Sequence, residues 1–177
     1  MSGDERDEKG APVKTLIIVF SCHHGNTGKV AAAMANVLCA QVKTPQEADP
    51  QELVGYDLIG FGSGIDSSRH YKPLLDFADS LPHAAGRNAF IFSTCGVPAA
   101  LFGEKYIKNY AGESHAALRE KLETKEYRII GEFNCPGHNT NAFLRYFGGF
   151  NKGRPDARDL LGAEEFGRRL NWKGAET

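Results

Sequence analysis

Residues 14–27 read KTLIIVFSCHHGNT, a short run of apolar and β-branched residues followed by a polar loop that ends in Gly-Asn-Thr. The apolar run is typical of a β-strand buried on both faces, as in a parallel sheet. The pattern then changes to helical spacing, because apolar residues recur at intervals of three and four at Val30, Met34, Val37 and Leu38. The sequence therefore predicts a buried strand, a polar loop and a helix over residues 26–38.

The same order of strand and helix recurs along the chain. Further strands are predicted at AQVK, DLIGFGS, NAFIFST and YRIIGEF. Asp49 is expected to cap a short helical turn that has Pro50 at its first position. A helix after DLIGFGS would bury Leu74, Leu75, Ala78 and Leu81. Another is predicted from a cap at Ser114 to about Lys125, and a last one begins near Asp156, with its apolar face at Ala163, Phe166, Gly167 and Leu170.

Strands that alternate with helices indicate an α/β fold with right-handed crossovers and a parallel sheet covered on both faces. The opening residues are charged and almost free of large apolar side chains, so a disordered tail is expected at 1–13. We expect one domain over 14–170, and a C-terminal tail at 171–177.

Composition bounds the function only coarsely. The chain has 177 residues, 41% of them hydrophobic and 24% charged, as is usual for one globular domain. A net charge of -1 predicts no nucleic-acid partner. Apolar runs are too short for membrane insertion, and four Cys without paired spacing suggest a reducing, cytoplasmic location.

Three predicted strands end in small polar loops, SCHHGNT, GSGIDSSRH and STCGVPA. In an open α/β sheet, ligands bind outside the carboxyl ends of the strands. The three loops are therefore expected to meet at one ligand site.

The first loop offers two kinds of chemistry. The start of a helix presents unpaired backbone N–H groups and the positive end of the helix dipole, which favour a phosphate. Asn26 and Thr27 would add side-chain donors, although such residues also cap helices without binding anything. The alternative is a nucleophile or metal site built on Cys22 and the two histidines, His23 and His24.

Several phosphate-handling motifs do not fit this loop. A nucleotide-triphosphate P-loop would need Gly at His23 and Ser or Thr at Val30. A cysteine phosphatase would need Arg at Gly28, and a receiver domain would need an acidic residue at the end of the first strand. Zinc bound by Cys22, His70 and the adjacent histidines is disfavoured, because neighbouring His side chains rarely point at one ion and no Cys-x-x-Cys occurs.

The triplet Gly25-Asn26-Thr27 and the helix after it resemble the phosphate loop of the flavodoxin family. SCHHGNT, GFGSGI, FIFSTCG and NKGRP together resemble a group of small flavodoxin-like proteins, and the resemblance spans about Lys14 to Leu170. It implies a three-layer sandwich with a five-stranded parallel sheet in the order 2-1-3-4-5, and FMN as the cofactor.

Carried over by position, the resemblance implies three groups of FMN contacts. The first loop would bind the phosphate, the second would flank the isoalloxazine ring, and the third would meet the pyrimidine edge of the ring. These cofactor-binding residues are Ser21, Cys22, His23, His24, Gly25, Asn26 and Thr27, then Gly62, Ser63, Gly64, Ile65, Asp66 and Ser67, and finally Ser93, Thr94, Cys95 and Gly96.

The chain departs from the family pattern at several of these positions. Cys22 and His24 stand where the family has hydroxyl residues, and Ile65 and Asp66 stand where an aromatic residue often stacks on the flavin. Phe102 is the nearest substitute for an aromatic in the third loop. Asp66, if it lies near the ring, should disfavour the negative charge of the reduced flavin and lower its potential.

Other residues carry weaker signals. Cys39 is interpreted as a buried structural thiol, and Cys135 and His138 as loop residues. The connection over 135–155 is long, rich in aromatic and basic residues, and free of Asp and Glu. It is either a short packed helix, a lid over the flavin, or a docking surface for an acidic partner.

The leading functional hypothesis is an FMN-binding protein that transfers electrons to redox partner proteins or to a small-molecule electron acceptor, as a monomer or homodimer. The alternatives are a flavin-dependent quinone or porphyrinogen-type oxidoreductase, and a non-redox binding module that has lost FMN. We expect no catalytic side chain and no bound metal.

Overall fold

A computed structural model describes residues 13–22, 24–140, 146 and 148–175. The remaining residues, which include His23 and most of the predicted N-terminal tail, lie outside the described part. The strands are β1 (Thr15–Phe20), β2 (Gln41–Lys43), β3 (Leu58–Asp66), β4 (Arg69–His70), β5 (Asn88–Cys95) and β6 (Arg128–Pro136). The helices are α1 (Asn26–Leu38), α2 (Lys72–Asp79), α3 (Ala99–Thr124) and α4 (Ala157–Ala175), with a 3₁₀ helix at Pro50–Gly55.

Five parallel strands form the sheet in the order β2-β1-β3-β5-β6. The remaining strand, β4, pairs antiparallel with the end of β3. Without β4 this order is the predicted 2-1-3-4-5, so the fold prediction is confirmed. β1 lies at the switch in strand order, which places the loop after it at the usual ligand position of such sheets.

Apolar side chains cover both faces of the sheet. On one face Ile59, Phe61 and Ile91 pack against α2 and α3. On the other face Phe90 and Phe92 pack against α1 and α4. Burial on both faces explains why these strands read as nearly continuous apolar runs rather than as alternating ones.

The secondary structure differs from the prediction at several places, three of which concern β3, β6 and α3. β3 continues to Asp66 and turns back into β4, so the expected second loop is a hairpin. β6 continues to Pro136, so Cys135 is a buried strand residue and not a loop residue. α3 begins at Ala99 and is interrupted at Gly103, so Ser114 lies inside the helix and caps nothing.

The Ser114 hydroxyl instead donates to the Tyr110 carbonyl within α3, so Ser114 does not mark the start of a helix. Two end signals behave as predicted. Asp49 caps the 3₁₀ helix by accepting from the Gln51 N–H at 2.9 Å, and α3 ends at Thr124, one residue before the expected Lys125. At the C-terminus, the expected tail is helical as far as Ala175.

In the part of the chain that the structure describes, no helix has both the length and the apolar character that a membrane span requires.

Candidate functional site

A cleft opens at the carboxyl edge of the sheet, where β1, β3 and β5 end. Residues from all three predicted loops line it. The first contributes Ser21, Cys22, Asn26 and Thr27, the second Gly64 and Ile65, and the third Thr94, Cys95 and Gly96. The structure thus brings together the segments that the sequence analysis assigned to one ligand site.

The first loop leaves the start of α1 open to an anion. Gly25 is the residue before the helix, has a φ of 66°, and makes no side-chain cap. A Cβ at Gly25 would meet no atom within 4 Å, so the space above this backbone is free. The Ser21 hydroxyl accepts from the Gly28 N–H at 3.1 Å, which satisfies one of the first-turn amides from the sheet side. A helix start with free backbone amides and open space is a place where anions bind in proteins.

Asn26 and Thr27 face the interior of the site rather than the solvent. The Asn26 amide donates to the His138 carbonyl at 2.8 Å, while its Oδ1 is buried and has no partner. The Thr27 and Thr94 hydroxyls share a buried hydrogen bond of 2.8 Å, which ties α1 to the end of β5. These hydrogen bonds fasten the start of α1 to the neighbouring segments behind the surface of the cleft.

A fourth segment, which the sequence analysis did not assign to the site, completes the cleft. Gly137, His138 and Asn139 line it, directly after β6. The His138 ring stacks on His24 with 4.5 Å between ring centroids, and His24 Nε2 lies 2.7 Å from the Thr140 hydroxyl. The first loop is therefore joined to the 137–140 segment, next to the start of α1.

Tyr71 supplies the aromatic side chain that the second loop lacks. It is the residue before α2, and its ring lies so close to Gly64 that a Cβ there would be 2.7 Å from Cε2. Its hydroxyl is hydrogen-bonded to the Cys22 thiol, and burial together with Cys22 and Asp66 raises the pKa of Tyr71 to about 12. Tyr71 is therefore a neutral, planar wall of the cleft at neutral pH.

Several predicted site residues do not line the cleft. His24 and Gly25 lie beside it at the start of α1, and Gly62 lies within β3. Ser63 and Ser93 are fully buried behind it, on the sheet face that carries α2 and α3. Asp66 and Ser67 lie at the exposed tip of the hairpin. Phe102 is half exposed on α3, where it stacks on Tyr106.

The four cysteines lie in different surroundings. Cys95 and Cys135 are buried, and burial raises the pKa of both thiols. Cys39 is exposed at the end of α1, so the prediction of a buried thiol there was wrong. Among the residues that the structure describes, no three His, Cys, Asp or Glu side chains are placed to hold a metal ion.

Two signals could have revealed the missed residues. Tyr71 precedes Lys-Pro, and Pro is favoured in the first turn of a helix, so Tyr71 could have been placed at a helix start that faces the site. The sequence PGHNT after the last predicted strand marks a fourth polar loop at the same sheet edge. Its role was hidden because the strand was expected to end earlier.

Comparison with known structures identifies the class of fold. A flavodoxin from the domain Archaea is similar over 92% of this chain and 99% of its own, with a TM-score of 0.65 and 17% identity. A flavoprotein from Lactobacillus acidophilus NCFM, solved in complex with FMN, is similar over 69% of this chain and 93% of its own, with a TM-score of 0.50 and 17% identity. The fold is therefore that of the flavodoxins.

The sequence itself has a nearer relative. Uncharacterized protein MJ0298 of Methanocaldococcus jannaschii is 38% identical over 158 residues, which cover 89% of this chain and 98% of the relative. No protein-family model matches the sequence. The chain belongs to a flavodoxin-like family that includes MJ0298.

Proposed function

We propose that this protein binds FMN in the cleft and transfers electrons through it. The observation that carries the proposal is the open start of α1 beside a cleft walled by Tyr71. Gly25 leaves space for an anion, and the amides of the first turn provide donors for it. A phosphate and a planar ring are the two parts of FMN that such a site would recognise. The presence of FMN in a structural neighbour agrees with this choice.

Different residues of the cleft would bind different parts of FMN. Backbone amides at 24–27 would hold the phosphate. Tyr71 would pack against the isoalloxazine ring, and the backbone of Gly64 and Gly96, which line the cleft, would lie beside it. Bound flavin would supply one- and two-electron chemistry, and the protein would set its potential by binding the oxidised and reduced forms unequally.

The test is a fluorescence titration of the purified protein with FMN and with riboflavin. We expect FMN to bind about tenfold or more tightly, because one hydrogen bond to a charged group contributes about 1.5–3 kcal/mol. Tyr71→Leu should weaken both flavins about three- to tenfold, as the loss of an aromatic contact does, and Tyr71→Phe should not. Phe102→Leu is the matched control, because this exposed ring lies outside the cleft lining.

Two outcomes would contradict the proposal. Equal affinities for FMN and riboflavin would mean that the start of α1 does not bind the phosphate. No binding of either flavin would favour a non-redox binding module instead.

A second candidate function is a small flavin-dependent reductase. A depression beside the cleft shares Cys22 and Tyr71 with it and is lined by Phe20, Arg69 and Lys72. Such a neighbouring space, with aromatic and cationic walls, could admit a small acceptor such as a quinone. Steady-state consumption of NAD(P)H in the presence of a quinone would distinguish this reductase from an electron carrier, which should show none.

A further inference from the structure

A group of polar side chains is buried behind the cleft, in a layer that is otherwise apolar. Ser63 and Ser93 are completely buried on neighbouring strands, and His70 and His115 are 3% and 1% exposed. The two imidazole rings are 5.0 Å apart between centroids. We call Ser63, His70, Ser93 and His115 the buried polar cluster.

His70 is incompletely satisfied. Its Nδ1 lies 2.8 Å from the Ser63 hydroxyl, which itself donates to the Gly64 carbonyl and accepts from the Tyr71 N–H. When the Ser63 hydroxyl donates to the Gly64 carbonyl, His70 Nδ1 carries the hydrogen and Nε2 presents a lone pair; in the opposite tautomer Nε2 carries an N–H instead. Nε2 is buried, and no residue that the structure describes hydrogen-bonds to it in either case. A buried polar nitrogen without a partner is costly.

His115 connects the cluster to the surface. Its Nε2 lies 2.8 Å from the Ser93 hydroxyl, and its Nδ1 lies 2.9 Å from Glu132 Oε2. Arg119 donates to both oxygens of Glu132, and the Glu132 side chain is 27% exposed. Although burial alone would raise the pKa of Glu132, hydrogen bonds from His115 and Arg119 hold it below its usual value. The Glu132 carboxylate and the Arg119 cation balance each other, so one added proton gives the cluster a net positive charge.

The cluster is adjacent to the cleft that we assign to FMN. The Ser63 hydroxyl bonds to the carbonyl of Gly64, and Gly64 lines the cleft. Tyr71, which follows His70 in the chain, lines it as well. A negative charge placed on a flavin ring in this cleft would act on the histidine pair through a wall of low dielectric constant, where charge interactions are strong.

We propose that the His70–His115 pair is a proton-binding site that takes up one proton when the bound flavin is reduced. The inference rests on the proposed function. Reduction by dithionite would supply two electrons, and with one proton from water they would leave the flavin with a single negative charge. The histidine pair would take up a second proton from water, so the net charge of protein and flavin together would not change.

The electrostatics of the resting protein agree with this assignment. Burial, and then the proximity of His115, hold the pKa of His70 well below its ordinary value, so His70 is proton-free at neutral pH. Only one of two rings at this distance can readily be charged, which limits the pair to one proton. Other charged or titratable groups on the elements around the pair include Glu132, Arg119, Asp66, Arg69, Tyr71, Lys72, Asp76 and Asp79.

The direct test is ¹⁵N NMR of the histidine rings in the FMN-loaded protein at about pH 8, before and after reduction with dithionite. In the oxidised protein we expect the His70 imidazole to be neutral. In the reduced protein we expect the pair to hold one more proton, seen as one additional imidazole ring with the nitrogen shifts of an imidazolium. His83, 70% exposed at the surface, is the internal control and should not change.

The midpoint redox potential of the bound flavin, measured as a function of pH, provides a second readout. For a two-electron couple, each coupled proton contributes about 30 mV per pH unit, since a tenfold change in proton concentration is worth that amount. We expect the midpoint potential of the wild type to fall more steeply with pH than that of His70→Gln, by up to about 30 mV per unit. His83→Gln should match the wild type.

The outcomes separate this inference from the proposed function. If FMN does not bind, both fail. If FMN binds and is reduced while neither buried imidazole of the wild type gains a proton, the proton-binding site alone is overturned. The NMR result requires no variant, so it decides the question even if His70→Gln does not fold.

Discussion

Cys22 at the cleft wall is poorly placed to act as a nucleophile. Its thiol is hydrogen-bonded to the hydroxyl of Tyr71, a group whose pKa of about 12 makes it a weak acid and keeps it protonated at neutral pH. A nucleophilic thiol needs an adjacent base that can take its proton. Of the two chemistries open to the first loop, the geometry therefore favours anion binding by the backbone.

Cys22 gives a direct test of ligand position. We expect FMN to slow alkylation of Cys22 by iodoacetamide, because a ligand in the cleft would cover this exposed thiol. Cys39 is exposed far along α1 from the cleft and is the matched control, so its rate should not change. Mass spectrometry of the two peptides measures both rates in one experiment.

Replacing Cys22 by Ser should preserve FMN binding, because the hydroxyl keeps a partner for Tyr71. Equal protection of both thiols would indicate a global change and not a ligand over Cys22. If Cys22→Ser lost a turnover activity while its FMN affinity stayed unchanged, that result would support the alternative in which Cys22 acts as a nucleophile.

Glu132 should make stability dependent on pH. Its folded pKa lies below the ordinary value of 4.5, so its ionised form stabilises the fold above about pH 4.5, and this contribution is lost as the pH falls through the folded pKa. We therefore expect Glu132→Gln to be less stable than the wild type at about pH 7, and the difference to shrink below about pH 4. Urea unfolding at both pH values measures it, and a difference independent of pH would show that charge is not the cause.

At the scale of elements, β3 is shaped by the aromatic rings beside it. Gly62 of β3 lies directly against Phe92 of β5, and a Cβ there would be 2.2 Å from the Phe92 Cζ atom. The ring is completely buried and cannot move aside. The lack of a side chain at Gly62 therefore allows two strands and the aromatic core to pack together.

We predict that Gly62→Ala destabilises the fold by about 1–3 kcal/mol, as overpacking of a core does. Gly112→Ala is the matched control, because a Cβ at this exposed helical position meets nothing within 4 Å. That change should be neutral or stabilising by about 0.5–1 kcal/mol. Urea unfolding of the two variants compares them, and equal stabilities would mean that the Phe92 ring relaxes more easily than its burial suggests.

The hairpin of β3 and β4 determines which side chains reach the site. Its two turn residues, Ser67 and Ser68, have φ values of 50° and 59°, as in the tight turns that join antiparallel strands. The turn reverses the chain so that His70 lies opposite Ile65. His70 is thereby directed into the core and Tyr71 to the cleft, which is why one short element serves both proposed sites.

At the scale of the whole molecule, the segment after β6 is attached to the cleft at its base. Asn139 and Phe150 exchange backbone hydrogen bonds, and the Asn151 side chain donates to the Val97 carbonyl at 2.8 Å. The outer part of this segment includes Tyr146, which is 72% exposed. The base of the segment is thus part of the site wall.

We predict that FMN protects the connection over 135–155 from limited proteolysis, because a ligand in the cleft would contact the base of this connection at 137–139. Cleavage products would be identified by mass spectrometry with and without FMN. Cleavage near Lys125, remote from the cleft, is the internal control and should not respond. Identical digestion at the segment in both samples would favour a surface for a protein partner over a lid.

The sequence by itself determined the architecture. Apolar runs such as LIIVF, alternating with amphipathic helices, predict a parallel sheet, because only a strand covered on both faces needs apolar residues at every position. The position of the ligand site followed from the same pattern, since loops after parallel strands meet at one edge. The Gly-Asn-Thr triplet then indicated an anion at the start of α1.

Tertiary structure alone decided which side chains line the site. Ser63 and Ser93 follow the strand pattern into the core, whereas Tyr71 and the 137–139 segment reach the cleft through a hairpin and a strand that end later than predicted. The pairing of His70 with His115 joins residues from different elements and has no local signal in the sequence. The physical reason is that periodicity records how each element buries its own face, while contacts between elements depend on where strands end and how they are registered.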